Sequence, residues 1–188
     1  MWHKIIQRIF SSSICLRHAV IQFKIVHRLH WSKVRLSKIT DIDPACDRCR
    51  QDPATLLHMF RTCPRLYMFL LDIFETFSWI LGKVVEPSPL IALFSVAPED
   101  ASLSKREVNM LAFCSLLARR LILFKWKDPI PPTHSHWIRE VMCHLKLEKI
   151  RYTVRGSTET FYNIWQPFFT FVEGMEADNM TMSTISFV

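Results

Sequence analysis

Apolar residues recur along most of this chain at the three- and four-residue spacings of a helix. From Ile14 to Trp31, the residues Leu16, Ala19, Val20, Phe23 and Val26 make one such stripe. Arg17, Lys24 and Arg28, seven and four apart, stack on the largely opposite face. Ser32 suits the N-cap of a short helix over Lys33 to Ile39, and Thr40-Asp41-Ile42-Asp43-Pro44 reads as a turn. Arg65 to Gly82 is strongly apolar at helical spacing (Leu66, Phe69, Leu70, Ile73, Phe77, Ile80, Leu81), with Gly82 placed as its C-cap.

Glu86-Pro87-Ser88-Pro89 breaks the pattern, Leu90 to Val96 is a short apolar segment of either type, and Pro98-Glu99-Asp100 breaks it again. Ser104 and Glu107 fit a capping box, in which hydroxyl and carboxylate each satisfy an orphan N–H of the first turn. The helix they open is predicted to run to about Lys127. Its middle, Met110 to Ile122, is apolar nearly all round and is the expected buried central helix. After the stop at Asp128-Pro129-Ile130-Pro131-Pro132, a helix is predicted from His134 to Tyr152, with Trp137, Val141, Leu145 and Ile150 on one side. A last one, rich in aromatics, spans Ser157 to Phe171, kinked or interrupted at Pro167. No repeat or low-complexity tract is visible. The expected fold is mainly α.

Composition narrows the functional classes. A chain of 188 residues suits one domain. With 3 glycines it has no glycine-rich phosphate loop, which excludes a P-loop or Rossmann site, and it argues against a glycine-turned β-barrel or sandwich. Ten prolines and 12% aromatic residues argue against disorder. The longest nearly continuous apolar run, Met110 to Ala118, is far short of the ~20 residues of a membrane span. Met1 to Ser13 lacks the apolar core of a signal peptide, so none is expected. The 6 cysteines are too sparse for a secreted disulfide scaffold; an intracellular reducing compartment, cytoplasm or nucleus, is expected, where clustered cysteines suggest metal.

The net charge of +7 conceals an alternation. Residues 1–65 carry 12 Lys and Arg against 4 acids, and residues 104–155 carry 11 against 4. Residues 66–103 hold one lysine and five acids, and residues 156–188 hold four acids and no Lys or Arg. Two basic blocks separated by an acidic one fit a protein that meets a polyanion on selected faces. The plainer alternative is that these side chains only solvate helix surfaces.

One cluster carries chemistry. Cys46-Asp47-Arg48-Cys49, His58 and Cys63 make the pattern C-x2-C-x8-H-x4-C. Zinc takes four borderline or soft ligands at tetrahedral corners, and a C-x2-C turn sets two thiolates on one ion. Asp52 before Pro53 is a plausible helix start, which puts His58 about a turn and a half into a short helix and Cys63 at its end. The competing account is four ordinary core residues, since cysteine is also a small buried hydrophobe. With all four corners taken by protein, such a zinc is structural and leaves no place for a reactive water.

The signs of an enzyme are missing. No H-x-E accompanies the near match Pro44-Ala45-Cys46 to a deaminase motif. There is no G-x-S-x-G and no adjacent Asp-Asp pair. His134-Ser135-His136 and Cys143-His144 are weaker metal candidates beside turns and on a helix. No catalysis is expected.

The run IQFKIVHRLHWSKVRLSKI followed by CDRCRQDPATLLHMFRTCP resembles the C-terminal region of LINE-type (non-LTR) retrotransposon reverse transcriptases, as do LLARRLILFKWKDPIPPTHSHWIREVMCHLKLEKIRYTVRG and FYNIWQPF further on. The resemblance covers roughly residues 14–172 and is to vertebrate elements of this kind. Where that family commonly has Thr-Pro after the aromatic, this chain has Ser32-Lys33, a conservative change for a helix cap. The resemblance implies one zinc on Cys46, Cys49, His58 and Cys63. It also implies binding of RNA or target DNA during target-primed reverse transcription, as a truncated copy without its catalytic domains. The expected organisation is an unassigned segment 1–13, a basic helix plus zinc-binding segment 14–65, a helical domain 66–173 packed on it, and a loose tail 174–188. Candidate phosphate contacts are Arg17, Lys24, Arg28, Lys33, Arg35, Arg48 and Arg50, with little sequence preference and Trp31 as a stacking candidate. The rival is a zinc-held helical interaction module that docks on the parent reverse transcriptase. No membrane partner is expected.

Overall fold

The computed structural model describes residues 1–98 and 102–185, with side chains as far as Met175. The chain forms α1 (Trp2–Ser11), α2 (Leu16–Val26), α3 (Lys33–Leu36), α4 (Tyr67–Leu81), α5 (Pro89–Phe94), α6 (Lys105–Phe124), α7 (His134–Val154) and α8 (Thr158–Ile185). Between α3 and α4 lie a π-turn (His58–Thr62) and a 3-10 turn (Pro64–Leu66). Among the described residues the sole β pairing is one antiparallel bridge between Ala45 and Pro53. The fold is mainly α, as the periodicity predicts.

α6 is the hub. It packs against α2, α5, α7, α8 and the π-turn, and every residue from Met110 to Arg119 is buried. Its start is the predicted capping box, with Ser104 Oγ accepting from Glu107 N–H and the Glu107 carboxylate accepting from Ser104 N–H. Around it, Trp137 donates its indole N–H to the Cys114 carbonyl at 3.0 Å and meets Phe77 and Phe168 edge-on. One buried cluster runs from Ile25 through Cys46, Cys63 and Phe77 to Val172, so the metal segment and the later helices share a core. Each large side chain buried there contributes ~1.5–3 kcal/mol.

The caps behave locally. Gly82 takes the left-handed conformation (φ 61°) that ends α4, where a side chain would be strained. Ser32 and Ser88 accept backbone N–H groups at the starts of α3 and α5, and Thr133 does so for α7. Leu90 to Val96, undefined in the pattern, is mostly α5.

Four expectations change. Residues 1–13, unassigned in the sequence, form α1, whose Ile5 and Ile9 pack with Ala19, Val26 and Val96 in a second small cluster. α2 is shorter than predicted and buries a different face: His18, Ala19, Gln22, Ile25 and Val26 point inward, while Leu16, Val20 and Phe23 are exposed. His18 Nδ1 pairs with Ser13 Oγ (2.9 Å) and Gln22 Nε2 donates to the Leu93 carbonyl (3.3 Å), which offsets part of the cost of burying them, while His18 Nε2 and Gln22 Oε1 have no partner. In α7, Ile150 is exposed and Glu148 takes the inward place, accepting from Ser13 Oγ at 2.7 Å and Ile14 N–H at 2.8 Å. The predicted tail from 174 is instead a continuation of α8 to Ile185, through Pro167 and Gly174; residues 186–188 and the Glu99-Asp100 break lie outside the described residues. Once a helix is nucleated, adding residues such as Met and Ala costs little, and no second proline follows Pro167. Among the described residues no helix is long and apolar enough to cross a membrane.

Arg119 is the most buried charge, and no ion pair to it is found among the described residues. Its guanidinium donates to the Ile91 and Ala92 carbonyls (3.4 and 2.6 Å) and to Ser95 Oγ, so it caps the C-terminus of α5. Burial pushes its pKa down to about 9.

Candidate metal centre

The segment that carries the centre is held by backbone bonds. Cys46 N–H donates to the Asp52 carbonyl (2.9 Å) and Ala54 N–H to the Pro44 carbonyl (2.8 Å), which closes a tight loop around Cys46 and Cys49. Arg50 completes the loop in the left-handed region (φ 59°), with its N–H donating to the Cys46 carbonyl at 2.9 Å. Two cysteines three apart thereby face the same point.

The second pair uses a device that the spacing alone does not reveal. The helix after Pro53 starts at Leu56, later than predicted, and widens into the π-turn His58–Thr62. In an α-helix, positions five apart lie about 140° apart around the axis. The i→i−5 bond from Cys63 N–H to the His58 carbonyl (3.0 Å) opens one turn and brings both side chains to the same side. Thr55 Oγ1 accepts from His58 N–H at 3.1 Å and steadies the entry.

The result is a cluster. One ligand atom from each of Cys46, Cys49, His58 and Cys63 lies within 4.8 Å of all the others. Cys46 Sγ is 4.0 Å from Cys63 Sγ, and Cys49 Sγ is 3.4 Å from His58 Nε2. Bond lengths of about 2.3 Å to sulfur and 2.0 Å to nitrogen in a tetrahedron give edges of about 3.8 and 3.5 Å. The two measured edges straddle those values. These residues can hold one metal ion. Among the described residues no other group of three or more His, Cys, Asp or Glu side chains is so placed.

Electrostatics favour the ligating form at His58 and Cys49 and oppose it at Cys63, where only a bound cation would hold the thiolate. Burial holds the His58 imidazole below its ordinary pKa against the pull of Asp52, and Arg48 adds to the lowering, so the neutral ring prevails. Asp52 Oδ2 sits 3.8 Å from His58 Nδ1, beyond hydrogen-bond length but on the side that leaves Nε2 for the ion. Burial and the neighbouring Cys46 and Cys49 push the Cys63 thiol up to about 11, against the Arg65 N–H. Burial acts upward on Cys49 too, but N–H groups of Asp52 and Gln51 overcome it and lower that thiol. Crowded thiolates of this kind need a cation among them.

Arg48 lies between the two loop cysteines and is 4% exposed. Its guanidinium donates to the carbonyls of Met59 (2.7 Å), Ile122 (3.4 Å) and Lys125 (3.3 Å), tying the loop to the C-terminal end of α6. Three thiolates around a divalent ion would carry one net negative charge, and Arg48 would be the buried cation beside it. The expectation that Arg48 contacts phosphate is therefore corrected: its side chain is spent inside.

The other candidates divide. Arg17 and Lys24 are exposed on α2. Arg28 is exposed too, but it lies past the helix end at φ 54°, off the face that the spacing assigned to it. Arg35 donates to the Arg28 carbonyl at 2.7 Å and covers part of Trp31 at 4.7 Å. Lys33 is half-buried and bound to Asp47 (2.7 Å) and the Ala45 carbonyl (3.3 Å), so it props the loop. Arg50 is exposed, 3.8 Å from Asp47. His134 bonds Thr76 Oγ1 at 2.8 Å, and His144 packs tilted against the His18 ring with centroids 4.8 Å apart, so these two are engaged within the fold. Sequence reasoning missed Asp52, Met59 and Trp126 as neighbours of the centre. For Asp52 a signal existed in its place before Pro53; for the other two none did.

Fold and site together define a mainly helical protein with a Cys3His cluster, able to hold one metal ion, in a loop seated on its central helix. No protein-family profile matches the chain.

Proposed function

We propose that this chain is a zinc-stabilised module that binds the phosphate backbone of RNA or DNA and has no catalytic activity of its own. The observation that carries it is the preformed Cys3His cluster with every corner supplied by protein. Two or more thiolates with an imidazole suit zinc over harder ions, and a closed tetrahedron suits a structural role. The zinc would be held by Cys46, Cys49, His58 and Cys63, and it would fix the loop that presents Arg50 and props Lys33. The exposed cations Arg17, Lys24, Arg28, Arg35 and Arg50 support a polyanion partner, since residues 1–40 contain eight Lys and Arg and no acid. The ordered sequence motifs support an origin in the C-terminal region of a non-LTR reverse transcriptase.

One observation favours the second reading, an interaction module that docks on its parent polymerase. Among the described residues, just over half of the exposed large apolar side chains lie within residues 1–42, including the stripes Trp2, Ile6, Phe10 and Leu16, Val20, Phe23. Such a surface suits a protein partner. The test is metal analysis of the purified chain together with titration of a labelled single-stranded RNA at 50 to 200 mM salt. Nucleic-acid binding through three to five phosphates gives a log K against log salt slope of about −2 to −4. A flat response, with one zinc bound, would favour the interaction module.

A further inference from the structure

The first two helices carry an apolar face that the core does not use. On α1, Arg8 reaches Asn109 of α6 at 2.6 Å, and Ile5 and Ile9 pack with Ala19 and Val26 of α2. At about 100° per residue, the next positions around the α1 axis are Trp2, Ile6 and Phe10, all exposed. α2 follows the same order. His18, Gln22 and Ile25 point into the protein, Ala19 and Val26 meet α1, and Leu16, Val20 and Phe23 come next, again exposed. The short connection 12–15 turns α2 back along α1, so the two rotations run in mirrored senses. Both stripes therefore lie on the outer side of the seam between the helices. At its turn the face is most open, with Phe10 69% and Leu16 73% exposed.

The charge beside this face has one sign. Arg17 and Lys24 flank the α2 stripe on the side away from α1, and both are exposed. Residues 1–40 hold eight Lys and Arg and no acid. Glu148 meets the connection from α7, but it is buried and accepts from Ser13 Oγ and Ile14 N–H. An apolar strip with cations beside it calls for apolar depth under negative charge. A nucleic acid supplies the charge without the depth. A protein partner would need an apolar centre with a rim of acids alone. A leaflet of anionic lipid supplies both at once, and tryptophan is enriched at its boundary. Such a pair lies on the bilayer without crossing it, in keeping with the lack of a described helix long and apolar enough to span.

We propose that the outer face of α1 and α2 binds the surface of an anionic lipid bilayer. Trp2, Ile6, Phe10, Leu16, Val20 and Phe23 enter the boundary between headgroups and acyl chains, and Arg17 and Lys24 meet the headgroup anions. This departs from the expectation of no membrane partner, which rested on the lack of a span. It is independent of the nucleic-acid reading.

The experiment is co-sedimentation of the full chain with vesicles of phosphatidylcholine, with and without phosphatidylserine. Binding is expected on the serine-containing vesicles, and at least about 10-fold weaker on phosphatidylcholine alone. Arg17→Ala with Lys24→Ala should weaken binding to the anionic vesicles about 25-fold, at about five-fold per cation. Ile6→Ser with Phe10→Ser alters exposed side chains and should keep the helix content and the RNA salt slope of the parent. It should weaken vesicle binding about 10- to 100-fold. Undiminished binding in that variant would mean attraction by charge alone and would overturn the apolar docking. A parent chain that binds RNA but neither vesicle would overturn the lipid proposal and leave the nucleic-acid reading intact. A parent dimer that binds neither vesicle, and that Ile6→Ser with Phe10→Ser dissociates, would assign the face to a second copy of the chain and overturn the proposal as well.

Discussion

Replacing Arg48 by Met distinguishes a phosphate contact from a buried clamp. The guanidinium makes three hydrogen bonds to carbonyls, of which the 2.7 Å bond to Met59 is short and those to Ile122 and Lys125 are long. Charged hydrogen bonds contribute about 1.5–3 kcal/mol each when well formed. Methionine would recover part of this through apolar burial and would end the desolvation that lowers the Arg48 pKa. The net loss should be about 3 kcal/mol, within the range for removing one partner of a buried charged network. For a chain of 188 residues that is a fall in Tm of about 6–12 °C. Loss of the cation beside three thiolates should also weaken metal binding by about 10- to 100-fold. The assays are thermal unfolding of the metal-loaded chain, competition with a chelator, and the salt slope of RNA binding. The slope should not change, because Arg48 never reaches phosphate. If stability stays within about 0.5 kcal/mol of the parent and the slope shrinks by about 0.7, the burial argument is wrong and Arg48 is a phosphate contact.

Cys49→Ser should abolish stoichiometric metal and speed amide exchange in residues 44–63 more than in α7; one ion per chain retained in this variant would refute the ligand assignment. Arg17→Ala, Lys24→Ala and Arg28→Ala together should flatten the RNA salt slope by about 2 with metal content unchanged, and an unaltered slope would mean that these side chains are only solvated. Acid should destabilise the protein through His18, whose pKa burial, then His144 and Arg120, lower to about 4. The folded state binds fewer protons than the unfolded one between pH 4 and about 6.5, so this contribution is complete above 6.5 and lost as pH falls toward 4. From pH 7 to pH 5 the loss is about 2 kcal/mol in urea unfolding. It should be absent in His18→Gln, and an identical pH dependence in that variant would refute the assignment.

How much of this was legible in the chain depends on the range of the interactions. A C-x2-C turn, a capping box and a left-handed glycine are settled by neighbours a few residues away, so Cys46, Cys49, Ser104 and Gly82 announce their roles in order along the sequence. The all-round apolar run of α6 also has one good solution, complete burial. Where a polar residue can find a distant partner, local pattern misleads. α2 buries His18 and Gln22 in preference to Leu16 and Phe23, with Ser13, held by Glu148 135 positions away, and Leu93 pairing one polar atom of each. Arg48 reads as a surface cation until the end of α6 supplies two carbonyls from 74 and 77 positions further on. The four ligands follow from residue types and spacing. The π-turn that closes their geometry is a local bond that the spacing does not announce, and the clamp behind it exists only once the loop is packed on α6, because Arg48 depends on carbonyls that the chain brings together from far apart.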